Sequence, residues 1–130
     1  MKKKTVLITG GTGFIGSNIA RMLVQKNFKV KIYDNFSRHK LKNIKMLPKQ
    51  IKIIKGDIRN RKKLFKSLKG VNIVIHLAYI NGTKFFYTKP VDILDIAVKG
   101  ILNVLEGCIK FKIKELYLAS SSEVYQTPNK

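Results

Sequence analysis

The chain has 130 residues, 45% of them apolar, which suits one domain with a core of its own. No apolar run approaches the roughly 18 residues of a membrane span, and the basic N-terminus leads into a stretch that Thr9 and the glycines break at once. No secretory leader is read there, and the cytoplasm is the expected compartment. The formal net charge of +20 comes from 27 Lys and Arg against 7 Asp and Glu. Only Arg21, Arg38, Arg59 and Arg61 are arginines, and the lysines are scattered over the whole length. They read as a solvated surface that attracts anions, and nucleic acid is set aside as the main partner, because recognition of base edges and phosphates leans on Arg.

Thr5–Thr9 reads as a short buried strand. Phe14–Lys26 reads as a helix with Ile15, Ile19, Met22 and Leu23 on one face. Lys29–Tyr33 is a second strand that ends at Asp34, and Asn35–Gln50 is polar and irregular, with room for a short helix. Ile51–Ile54 is a third strand, followed by Gly56 and Asp57. Arg59–Leu68 is a basic helix with Leu64, Phe65 and Leu68 inward. Val71–Leu77 is a fourth strand, and Asn81–Lys89 reads as a loop. Pro90 suits a first helical turn, and Val91–Phe111 continues the helix through Ile93, Ile96, Ala97, Gly100, Ile101, Val104, Leu105 and Cys108. Ile113–Ala119 is a fifth strand, and Ser120–Lys130 is polar.

Strands alternating with helices give an α/β fold, a doubly wound parallel sheet covered on both faces, with expected strand order 3-2-1-4-5. Cys108 stands alone, so an internal disulfide and a cysteine-rich metal site are excluded, and it reads as a small buried residue. His39 and His76 are the only histidines; His76, at a strand end, reads as a packed, hydrogen-bonded residue, and no metal site is expected.

Gly10, Gly13 and Gly16 fall between the first strand and its helix. In such a sheet, ligands bind at the carboxyl ends of the strands, near the reversal in strand order. The glycines allow a tight turn, close backbone approach to a pyrophosphate, and close helix–strand packing, while the helix start offers N–H groups and a positive dipole end. Asp34 follows Gly16 by eighteen residues, where an acidic group accepts hydrogen bonds from an adenosine ribose and repels a 2′-phosphate. NAD is the expected cofactor; Arg38 keeps NADP as the lesser option. The plainer reading of Asp34 is a strand-end cap.

The stretch "TGGTGFIG" (9–16) resembles the extended short-chain dehydrogenase/reductase family, the NAD-dependent sugar-nucleotide epimerases and dehydratases. The resemblance covers the whole chain and implies a Rossmann-type domain, with Phe14 and Ile15 beside the three glycines at the cofactor. "YDNFSR" (33–38) resembles the family's ribose segment, implying contacts from Asp34 and Asn35. "GDIRN" (56–60) resembles its adenine-contacting turn, implying Asp57 and Ile58. "HLA" (76–78) resembles the segment along the cofactor, implying Leu77 and Ala78. "GILNVLE" (100–106) resembles a family helix motif, in which Asn103 reads as a structural hydrogen-bonder. "ASSSEVY" (119–125) resembles the segment with the catalytic Ser/Thr.

The resemblance implies hydride transfer at a carbon of a nucleotide-sugar. Aligned from Val124-Tyr125, the hydroxyl that bonds the substrate oxygen falls on Ser121. Ser122 and Glu123 sit where dehydratase- and decarboxylase-like members carry acid–base residues; the plainer reading is a polar turn with Glu123 in solvent. Asn81, Gly82 and Thr83 are candidate substrate-loop residues. Gln126 stands where most relatives have Gly, and Ala97 where relatives often have Asn. The family's base is a Tyr with a Lys four residues on, and no Tyr in this sequence has one. Family members are more than twice as long. The chain is therefore read as an incomplete NAD-binding domain, without the last strands or the C-terminal substrate domain, and without turnover alone. The alternatives are a non-catalytic NAD-binding module, folded as a monomer or homodimer, and, less favoured, a basic nucleic-acid-binding protein.

Overall fold

The computed structural model describes residues 3–37, 44–80, 82–121 and 124–125. Five strands form one parallel sheet: β1 (Thr5–Thr9), β2 (Lys29–Asp34), β3 (Lys52–Lys55), β4 (Ile73–His76) and β5 (Glu115–Leu118), in the order β3-β2-β1-β4-β5. This is the expected topology. Between them run α1 (Phe14–Gln25), α2 (Arg61–Leu68), α3 (Thr83–Thr88), α4 (Pro90–Leu94), a π-helical turn at Asp95–Gly100, and α5 (Ile101–Lys110).

Strand side chains alternate between faces, so the sheet carries a core on each side, β1–β4 feeding both and β5 only one, through Leu116. Val6, Ile8, Val30, Ile32 and Ile73 pack on one face with Ala20, Leu47 and Ile51. Leu7, Tyr33 and Val74 pack on the other with Ile58, Leu64, Leu68, Val71, Ile96, Val104 and Cys108. Burying such apolar side chains contributes about 1.5–3 kcal/mol each. β1 lies in the middle, with Ile8 opposite Ile32 of β2 and Ile75 of β4. The chain goes one way from β1 to β2 and the other way to β4, so a crevice opens between the ends of β1 and β4.

Three expectations are corrected. On α1 the buried residues are Gly16, Ser17 and Ala20, with Ile19, Leu23 and Val24 partly covered, whereas Ile15 and Met22 are exposed. The small residues let the helix lie close to the sheet, and that turns the larger ones outward. Residues 83–88 form α3 rather than a loop; its last turn closes where Lys89 N–H donates to Phe85 O at 2.8 Å. Its consecutive aromatics, Phe85, Phe86 and Tyr87, show no helical period. The long helix after β4 is not uniform but widens at Asp95–Gly100. Ile93, Ile96, Gly100, Val104 and Cys108 are buried as expected, while Leu105 is exposed. On α2, Leu64, Phe65 and Leu68 face inward, and Asn60 caps the helix by accepting from Lys63 N–H.

Candidate functional site

The turn after β1 is held from both sides. Gly10 has φ +68°, its N–H donates to Tyr33 O at 2.9 Å, and a Cβ there would lie 2.9 Å from the Ala78 backbone. No side chain fits between β1 and the exit of β4. A Cβ on Gly16 would sit 2.6 Å from Gly11 Cα, so α1 can pack onto the turn only with glycine there. Gly13 differs: the nearest atom to an added Cβ is Gly10 O at 3.3 Å, so its other side is open.

Gly13 is also the N-cap of α1, with no side-chain cap. Bonding along the helix begins where Ser17 N–H donates to Gly13 O. The Phe14, Ile15 and Gly16 N–H groups therefore point forward without intrahelical acceptors, at the positive end of a twelve-residue helix. Phe14 and Ile15 expose their side chains; what they bring to this end is backbone.

Asp34 closes β2 beside this turn. Its Oδ2 accepts from Thr12 N–H at 3.0 Å and its Oδ1 from Phe36 N–H at 2.8 Å. It does cap the strand end, as the plainer reading held, and it also ties β2 to the glycine turn. Each oxygen keeps acceptor capacity after these bonds. Asn35 donates from Nδ2 to Asp57 Oδ2 at 3.2 Å, joining the ends of β2 and β3.

Asp57 and Ile58 form the turn after β3. Arg59 grips the Asp57 carboxylate by Nε and Nη2, at 3.0 and 2.9 Å, and by its own backbone N–H at 2.9 Å. Hydrogen bonding from Arg59 holds the Asp57 carboxyl down at about 2. Tyr33, fully buried, donates its hydroxyl to Asp57 O at 2.9 Å; burial first, and the Asp57 charge second, push its phenol up to about 12. Asn103 donates to Ile58 O and Arg59 O, the structural role expected of it.

At the end of β4, Leu77 and Ala78 N–H groups both donate to Thr9 Oγ1 at 3.2 Å, and Thr9 Oγ1 lies 2.7 Å from His76 Nδ1. His76 is packed and hydrogen-bonded, and burial lowers its pKa to about 4. A cleft of about 210 Å³ lies beside it, lined by Tyr79, Ala97, Ile101, Leu118 and Ala119 among others. Ser121 is exposed, two residues beyond Ala119. Gly82, with φ +132°, caps α3, which begins at Thr83. Asn81, Ser122 and Glu123 lie outside the described residues, as do Arg38, His39 and Gln126. Among the described residues no group of His, Cys, Asp or Glu could hold a metal ion, and no helix is long and apolar enough to cross a membrane.

The structure thus brings Gly10, Gly13, Gly16, Asp34, Asn35, Asp57, Ile58, Leu77 and Ala78 to the carboxyl ends of β1–β4. The family model for NAD dependent epimerases and dehydratases matches residues 6–130. The chain belongs to the NAD dependent epimerase/dehydratase family. A UDP-N-acetyl-alpha-D-glucosaminuronate decarboxylase of Bacillus cytotoxicus is 38% identical over 123 residues, which span 95% of this chain and 38% of that one. The UDP-N-acetylglucosamine 4-epimerase of Methanobrevibacter ruminantium, solved in complex with UDP-N-acetylmuramic acid, superposes with a TM-score of 0.86 at 35% identity, covering 99% of this chain and 42% of its own. The UDP-glucose 4-epimerase of Bifidobacterium longum, solved with NAD+ and UDP, gives 0.86 at 27% identity, covering 98% and 40%. The chain spans about two fifths of the length of these family members.

Sequence reasoning passed over three residues of this end. Thr9, Thr12 and Arg59 supply the bonds that fix His76, Asp34 and Asp57. A polar Thr closing an apolar strand, and an Arg two residues after Asp57, were the available signals.

Proposed function

We propose that this chain is the NAD-binding, N-terminal part of a nucleotide-sugar epimerase/dehydratase-type oxidoreductase, acting at a sugar carbon. The observation that carries the reading is the open side of Gly13 at the uncapped start of α1, with the Asp34 carboxylate one bond away through Thr12. The pyrophosphate would lie on the Gly10–Gly16 turn, its charge met by the Phe14, Ile15 and Gly16 N–H groups. Asp34 and Asn35 would take the adenosine ribose, Asp57 and Ile58 the adenine, and Leu77 and Ala78 the cofactor's passage toward β5.

Asp34 favours NAD over NADP, because a 2′-phosphate would bring a second negative group against a carboxylate already ordered by two N–H donors. NAD, when bound, supplies the hydride acceptor. Ser121 would hydrogen-bond the substrate hydroxyl, with Ser122, Glu123 and the Asn81–Thr83 segment near the sugar. Without a Tyr-x-x-x-Lys pair in these 130 residues, no group on this chain is assigned to remove the hydroxyl proton, and turnover is not expected from it alone.

The assembly proposed is a homodimer through the helix after β4. Val91, Leu94, Val98, Leu102, Leu105 and Ile109 are exposed and recur every three or four residues. That spacing is the seam along which one helix packs on another, and a self-complementary stripe fits the same stripe of a second copy across a two-fold axis.

Calorimetric titration of the 130-residue chain with NAD and NADP tests the cofactor reading. Saturable NAD binding, tighter than NADP, is expected; no binding of either dinucleotide sinks it.

A further inference from the structure

The end of the sheet away from the glycine turn holds a cavity of about 500 Å³, a size suited to a small molecule. It opens at the amino ends of β1, β2 and β3, where Thr5, Lys29 and Lys52 line it. Strand pairing places these residues. Thr5 lies opposite Lys29, and Lys31 opposite Lys52. Residues two apart on a strand share a face, so Lys29, Lys31 and Lys52 stand together on one face of neighbouring strands. Lys3 adds a fourth lysine to the lining.

The fold supplies no counter-charge there. No acidic residue lines the cavity, and among the described residues none of the four lysines pairs with a carboxylate. Lys4, next to Lys3, pairs with Glu115 instead. Helix ends account for one of the four: Lys31 Nζ donates to Ser67 O at 3.2 Å and Lys69 O at 2.9 Å, at the close of α2. α1 closes on itself. Asn27, at φ +66°, donates its N–H to Val24 O, and Phe28 N–H donates to Leu23 O, both at 3.0 Å. Those last carbonyls are satisfied by backbone and draw no lysine. Lys29 and Lys52 thus stand uncompensated beside Lys31, whose pKa is lowered by burial first and by the Lys52 charge second. Like charges opposite one another on a sheet destabilise it, and a bound anion removes that cost.

The lining also sets the kind of anion. Lysine binds phosphate as a point charge, whereas a planar carboxylate is matched by the arginine fork, and no arginine lines the cavity. Val24, Phe28 and Val30 give it an apolar wall, and an aromatic side chain there suits a base. We propose that this cavity is a nucleotide site separate from the glycine turn, taking a nucleoside diphosphate with its phosphates among Lys3, Lys29 and Lys52 and its base against Phe28. The inference stands independently of the cofactor reading, since the two sites share no residue and lie at opposite ends of the strands.

The test is proton–nitrogen NMR of the 130-residue chain titrated with uridine diphosphate, a nucleotide without the cofactor's adenosine, and with inorganic pyrophosphate. Saturable shifts are expected at the Thr5, Phe28, Lys29 and Lys52 amides. Lys29→Gln with Lys52→Gln should weaken uridine diphosphate about tenfold, the range of two exposed charge pairs. Lys62→Gln with Lys63→Gln removes the same charge from exposed positions on α2, and should change affinity less than about twofold, since distant charges are screened. Pyrophosphate should shift the same amides about tenfold more weakly, for want of a base to stack. Shifts confined to the Gly10–Gly16 turn, or scattered over the lysines without saturation, overturn the inference. An equal loss in the two double variants also overturns it, by making binding a property of net charge, as does pyrophosphate binding as tightly as uridine diphosphate. NAD should bind the Lys29 and Lys52 double variant as it binds the unmodified chain; a parallel loss of NAD overturns the separate site. NAD binding to neither protein removes the cofactor reading and leaves the shifts at Lys29 and Lys52 to decide this one. If circular dichroism finds the double variant unfolded, Lys52→Gln alone decides: a loss of about threefold is expected, and unchanged affinity refutes the site.

Discussion

Thr9 Oγ1 and His76 Nδ1 lie 2.7 Å apart across the seam between β1 and β4, and both side chains are buried. Thr9 Oγ1 already accepts the N–H groups of Leu77 and Ala78. A hydroxyl has one proton to give, so it goes to His76 Nδ1, which must be unprotonated. His76 is therefore neutral with its proton on Nε2. One hydroxyl sets the histidine tautomer and fixes the segment expected to run along the cofactor.

That arrangement predicts a specific acid sensitivity. The His76 pKa in the folded chain, about 4, lies below its ordinary 6.5. The folded state then binds fewer protons than the unfolded one, so the stabilisation is complete above pH 6.5 and is lost as pH falls through 4. The full loss is about 3 kcal/mol. Urea denaturation between pH 7 and 4 should show this decline, and His76→Gln should flatten it. Asp57, lowered to about 2 from 3.8, adds a separate loss below pH 4 that the variant keeps. An unchanged slope in His76→Gln would refute the assignment.

Gly13 and Gly16 should respond differently to the same methyl group. Gly16→Ala meets Gly11 Cα at 2.6 Å and should destabilise the fold by about 2–3 kcal/mol. Gly13→Ala meets only Gly10 O at 3.3 Å, at an ordinary φ of −68°, so stability should change by less than about 1 kcal/mol. Its methyl group narrows the open side of the turn, and NAD affinity should fall at least tenfold. Thermal melts and calorimetry separate the two; equal NAD binding by Gly13→Ala and the parent chain would place the pyrophosphate elsewhere.

Asp34→Ala removes the ribose acceptor and the charge that opposes a 2′-phosphate. NAD should weaken about tenfold, while NADP should hold or improve, so their affinity ratio shifts toward NADP. The variant also loses the Thr12 and Phe36 bonds. A parallel loss of both dinucleotides would mean that Asp34 acts only by ordering the turn.

Leu102→Glu puts a charge in the middle of the exposed stripe from Val91 to Ile109, without touching the core, since Leu102 is 52% exposed. Sedimentation velocity should find dimers for the parent chain and monomers for the variant, with unchanged circular dichroism. A parent chain that is monomeric at high micromolar concentration would remove the dimer proposal.

Much of this protein is decided by local pattern. Apolar runs such as Val6–Ile8 and Ile73–Ile75, spaced by helical stretches, dictate a parallel sheet covered on both faces, because strands apolar on both sides must be buried on both. The clustering of Gly10, Gly13 and Gly16 between a strand and a helix marks the ligand end for reasons internal to the backbone: a Cβ at Gly10 or Gly16 would meet backbone atoms within 3 Å, and Gly13 leaves one side of the turn open. Two classes of feature were decided only by the folded chain. Which face of a helix is buried depends on what it meets, so Ile15 and Met22 turn outward on α1 although their spacing suits the core. Pairings between distant residues leave no local trace. Thr9 meets His76 across 67 positions and Arg59 meets Asp95 across 36, and a one-dimensional pattern carries no information about partners that far apart. The elements follow from period and turn chemistry, which act within a few residues; the orientation of Asp57, the tautomer of His76 and the wide turn at Asp95 follow from contacts that exist only once the sheet has closed.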